Sequence, residues 1–68
     1  MTDEQRNVLV PLKLDLTNKY ILLDRARELK APEKVLIAIR RKIYSVQDAM
    51  VDVAVKFGIT LPNNWFRK

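Results

Sequence analysis

VLIAIRRKIYSVQDAMVDVAVKFG, residues Val35 to Gly58, is the stretch on which the fold turns. Leu36, Ile39, Ile43, Val46, Met50, Val53 and Phe57 are spaced 3, 4, 3, 4, 3 and 4 residues apart. That spacing is a heptad seam, the pattern by which one helix lies lengthwise along another. It passes Ser45 without a missed position and so predicts one helix over 32–57. A helix of roughly 26 residues is about 39 Å long. Ser45 with Asp48 offers the alternative, a break with a new helix capped at the serine. Gly58 is the expected stop, because a left-handed C-terminal cap favours glycine.

Ile37, Tyr44 and Val51 form a second stripe, spaced seven residues apart and turned around the helix from the first. Together the two stripes cover an arc of about 160°. One helical neighbour needs only a narrow seam, so two stripes imply two neighbours: another helix of the same chain, and a second chain. The expected architecture is all-α, an antiparallel helical hairpin that dimerises into a four-helix bundle. The candidate oligomer or partner interface is Leu36, Ile37, Ile39, Arg40, Ile43, Tyr44, Met50 and Val51. Arg40, Arg41 and Lys42 sit between the apolar runs but point in different directions. Arg40 falls inside the apolar arc, Arg41 shares the opposite face with Lys34, and Lys42 flanks. Arg40 is either a partner-facing charge, set against Asp24 or Glu28, or a side chain whose stem covers apolar surface.

Upstream, Lys30-Ala31-Pro32-Glu33 is the clearest punctuation. Proline suits the first position of a helix, and Glu33 suits the positive end of its dipole. So short a connection makes the flanking helices antiparallel neighbours. The segment PLKLDLTNKYILLDRARELK before it reads as a helix over 11–30, with Leu12, Leu16, Leu22, Leu23, Ala26 and Leu29 on one broad face. Thr2-Asp3-Glu4-Gln5 has the form of a capping box, which starts a helix near Asp3. Pro11 should interrupt it, leaving 1–10 either kinked onto the helix or separate. Val8, Val10, Leu12, Leu14 and Leu16 also alternate as a half-buried strand would. A strand before two helices is the order of a ribbon-helix-helix dimer, the alternative fold. Pro11 argues against it, and its outward set (Leu9, Pro11, Lys13, Asp15) is a poor one for reading base edges.

The tail, 58–68, turns at Pro62 and Asn63-Asn64 and ends Trp65-Phe66-Arg67-Lys68. Aromatics beside cations can stack on bases while holding a phosphate backbone. Alternatively, Trp65 and Phe66 fold back to close the open end of the bundle. Residues 52–60 resemble the centre of a helix-turn-helix, with an Ala four residues before a Gly and then a β-branched residue and Thr. Beyond them the pattern departs, with Asn64 where an apolar anchor belongs and Pro62 in the first turn of the next helix. The hairpin turn Glu28-Leu29-Lys30-Ala31-Pro32-Glu33 is similar in layout to that of plasmid RNA-binding Rop-type dimers. The net charge is opposite, and no residue roles carry over.

Composition bounds the rest. At 68 residues the chain is one small domain, with no cysteine or histidine to supply disulfides or soft metal ligands. Domains this size bury only about 60% of their unfolded surface, which favours association for stability. A homodimer with a partner protein is expected. Catalysis is not, since His and Cys are missing and no Gly-rich phosphate loop or paired acidic motif appears. Neither a cofactor nor a small-molecule substrate is expected. The opening MTDEQR does not read as a secretory signal and no apolar run nears the length of a membrane span, so the expected location is cytoplasmic.

Thirteen basic residues against 8 acidic ones give a net charge of +5. That balance keeps nucleic-acid binding as the alternative function. Its candidate contacts are Lys34, Arg41, Lys42, Trp65, Arg67 and Lys68. A wider basic set, Lys13, Lys19, Arg25, Arg27, Lys30, Lys34 and Arg41, has Asp24, Glu28 and Asp48 interspersed.

Overall fold

A computed structural model describes residues 1–67 of the chain. Two long helices, α1 (Asp3–Glu28) and α2 (Glu33–Phe57), pack antiparallel along their lengths. A short 3-10 turn, Asn63–Phe66, folds the tail back against them. The molecule measures 41 × 17 × 16 Å, the proportions of a hairpin one helix long and two helices wide.

α1 begins as the sequence predicts. The Thr2 hydroxyl accepts from the Gln5 amide at 3.2 Å, and the Gln5 side chain accepts from the Thr2 amide at 3.1 Å. This reciprocal pair satisfies two of the amides that a helix start leaves open. From there α1 passes Pro11 without ending. One 26-residue helix therefore runs through residue 11, so 1–10 does not form the separate piece that is one of the two alternatives. Pro11 is exposed, so the Asn7 carbonyl deprived of its amide donor lies on the solvent side.

The strand alternative is overturned, because residues 8–16 are helical and no strand occurs among the described residues. Helical spacing takes apart the alternating set. Leu16 is buried and Leu12 half-buried, whereas Val8, Val10 and Leu14 are 42%, 41% and 59% exposed. The face that α1 buries runs Leu9, Leu12, Leu16, Tyr20, Leu23 and Ala26. Leu22 and Leu29, expected inward, lie outside at 47% and 76% exposed.

α2 follows its heptad. Ile39, Ile43, Val46 and Met50 are buried, and Leu36, Val53 and Phe57 pack half-buried beside them. Ala54 and Leu61 complete the core. Ser45 is exposed and mid-helix, so the alternative break there does not occur. Pro32 caps α2 one residue before the first helical position expected of it.

Both helices end in the same hydrogen-bond pattern, using different residues. At α2, Gly58 adopts φ +66°; its amide donates to the Val55 carbonyl and that of Ile59 to Ala54. At α1, Lys30 takes the equivalent place at φ +55°; its amide donates to Arg27, and that of Ala31 to Ala26. This is the Schellman arrangement. Glycine adopts it freely, whereas Lys30 carries a side chain into a backbone region that L residues resist.

Candidate interaction surface

The heptad seam consumes part of the expected interface. Ile39, Ile43 and Met50 face α1 in the core, and Leu36 is half-buried against it. The stripe beside the seam stays open. Ile37, Tyr44 and Val51 are 41%, 59% and 46% exposed, and Val55 continues the line at 73%. Helix phase explains the division. The buried residues centre on one direction, and the open stripe is turned from it by roughly 120° at 100° per residue.

Arg40 lies between the two sets, half-buried, and lines a small recess with Tyr20, Leu23, Ile43 and Tyr44. Its guanidinium is 3.6 Å from the Glu33 carboxylate, a partner on its own helix two turns back. Glu33 is exposed and Arg40 only half-buried, so water screens the pair and it contributes little to stability. Arg41 and Lys42 are both exposed, and on α2 each successive position is turned by about 100° from the last.

The tail borders the lower end of the stripe. Trp65 and Phe66 are half-buried against the core, in the fold-back arrangement. Three side chains from the two helices hold its main chain. Lys13 Nζ donates to the carbonyls of Asn64, at 3.2 Å, and Arg67, at 2.5 Å. Tyr20 Oη and Gln47 Nε2 both donate to the Phe66 carbonyl, at 2.8 and 2.9 Å. With the tail so placed, Val51, Ala54, Val55, Ile59, Leu61 and Phe66 border an open apolar groove of about 280 Å3. Lys68 lies outside the described residues.

The wider basic set does not form a single stripe. Lys13 is engaged with the tail, Lys19 pairs with Asp15 at 2.6 Å, and Lys30 sits in the hairpin turn. Lys34, Arg41 and Lys42 remain exposed on α2. The resemblance of residues 52–60 to a helix-turn-helix goes no further, since among the described residues only the 3-10 turn follows where a recognition helix would stand.

Sequence reasoning missed one surface. Val10, Leu14 and Ile21 form a line on α1, at 41%, 59% and 48% exposed. Their spacing of four and seven residues is helical, a signal hidden while residues 8–16 admit a strand. Among the described residues no group of three or more Asp, Glu, His or Cys is placed to hold a metal, and no helix is long and apolar enough to cross a membrane.

No family model matches the chain, and no curated protein or solved structure shows significant similarity to it.

Proposed function

We propose that the protein is a non-catalytic interaction or regulatory protein that acts by stoichiometric binding to a partner protein through apolar helix faces. The observation carrying this reading is the amount of apolar surface left open. Twelve large apolar side chains are more than 40% exposed, and seven of them fall into two lines, Ile37, Tyr44, Val51 and Val55 on α2 and Val10, Leu14 and Ile21 on α1. Singly exposed apolar residues are ordinary, but aligned ones mark contact surfaces. Two hairpins pairing through the α2 line make a four-helix bundle, and the α1 line is left for the partner.

The test is capture of the partner from nuclease-treated host extract with the parent chain, then with Leu14→Glu and Ile21→Glu, all checked for native helicity. Loss of the same partner with both variants supports the reading. Full retention with both contradicts it.

The second reading, nucleic-acid binding by a dimer, rests on the net charge of +5 and on exposed Lys34, Arg41 and Lys42. Salt separates the two, because phosphate contacts release counterions and weaken steeply between about 50 and 200 mM salt, whereas apolar docking hardly changes. Retention on immobilised duplex DNA or hairpin RNA that collapses over that range, and is lost in Lys34→Glu/Arg41→Glu, would favour it.

A further inference from the structure

We infer that the open stripe of α2 is covered by the α2 of a second copy, packed antiparallel about a two-fold axis near the middle of the helix. This inference rests on the dimer reading above and specifies its geometry. Charge along the edge of the stripe points to it. Lys34, Arg41 and Asp48 are seven residues apart on one face, and Asp52 follows one turn on. The edge is therefore positive in its first half and negative in its second. All four side chains are exposed, and none enters an ion pair within the chain among the described residues.

A parallel partner would set Arg41 on Arg41 and Asp48 on Asp48. An antiparallel copy sets Arg41 of each chain beside Asp48 and Asp52 of the other, twice by symmetry. Opposed charges of this kind fix orientation more than they add affinity. The apolar residues fit the same arrangement. Ile37, Tyr44, Val51 and Val55 interleave with the charged Arg41 and Asp48 at spacings of 4, 3, 4, 3 and 4, so stripe and charges together follow a heptad spacing alongside the seam that α1 uses. Reversing one copy lays Ile37 at the lower end of the other, where Val51, Val55, Leu61 and Phe66 border the groove. One exposed apolar knob thus meets one open apolar recess, and the match repeats across the axis. The folded-back tail forms one wall of that recess, which makes it part of the interface.

Arg41→Glu and Asp48→Arg, studied separately and mixed by sedimentation at low salt with helicity verified by circular dichroism, test this arrangement. Each variant alone brings like charges together at two places and should self-associate about tenfold or more weakly than the parent. Mixed in equal amounts, the two should form a heterodimer near parental strength. The introduced glutamate of one chain then faces the introduced arginine of the other, and the unaltered Asp48 of the first faces the unaltered Arg41 of the second. The double variant Arg41→Glu/Asp48→Arg should likewise recover. A parent that dimerises while both variants and their mixture behave like it would overturn the antiparallel arrangement and leave the dimer standing. A parent that stays monomeric would overturn both.

Discussion

Tyr20 of α1 and Gln47 of α2 meet across the hairpin: Gln47 Nε2 donates to Tyr20 Oη at 3.0 Å, and both donate to the carbonyl of Phe66. Two residues 27 apart in sequence thereby fix a third in the tail. One contact joins all three pieces of the fold, in a part-buried setting where loss of a donor is felt.

Tyr20→Phe keeps the ring and removes one of the two donors to that carbonyl. It should cost about 0.5–1.5 kcal/mol in denaturant unfolding. Trp65 is the only tryptophan of the chain and stands next to Phe66, so its emission reports on the tail. A shift to the red in folded Tyr20→Phe is expected, and unchanged emission with unchanged stability would show that the contact does not hold the tail.

Lys30 pays the conformational cost that Gly58 avoids at the matching helix end. Lys30→Gly should stabilise the hairpin by roughly 1 kcal/mol, raising the urea midpoint without altering the slope. A lowered midpoint would mean that the lysine side chain contributes more than its backbone strain removes.

Pro11 stands inside α1 and is exposed, so its ring serves no packing in the core. Pro11→Ala should restore the missing hydrogen bond and raise stability by about 1–3 kcal/mol. Destabilisation instead would indicate that the local helix geometry imposed by proline is needed to bring Leu9 into the core.

Met50 is fully buried opposite α1. Met50→Ala should cost about 2–5 kcal/mol, a large part of the stability of so small a domain. Loss of less than about 1 kcal/mol by thermal or denaturant unfolding would contradict a packed seam at this position.

The second helix is readable in the sequence because one periodicity spans its length and nothing local competes with it. Propagation through Ser45 follows from Ile43, Val46 and Met50, which bury on either side of it. The first helix is harder to read because two local signals disagree with the outcome. Pro11 argues for a division, which hides Leu9 as a core residue, and the chance alternation of Val8 to Leu16 imitates a strand. Tertiary burial of Leu9 and Leu16 against α2 outweighs both. The seating of the tail was legible only in kind. Trp65 and Phe66 are apolar enough to fold back, but contacts from Lys13, Tyr20 and Gln47 to main-chain carbonyls leave no pattern in the side-chain sequence.

The two lines of open apolar residues should respond differently. Leu14→Glu should leave self-association unchanged while removing partner binding, since Leu14 is an exposed residue of α1 and the proposed dimer seam belongs to α2. Weakened self-association in this variant would show that α1 contributes to the dimer and that the division of roles between the helices is wrong.

Sedimentation equilibrium from micromolar to millimolar concentration, on the parent and on Tyr44→Glu, addresses the central claim most directly. Tyr44 is 59% exposed, so the substitution should preserve the helical signal. The account predicts that the parent approaches twice the 8.0 kDa mass of one chain as concentration rises, while folded Tyr44→Glu stays near the single-chain mass. A parent at single-chain mass throughout, with full helicity, would contradict it.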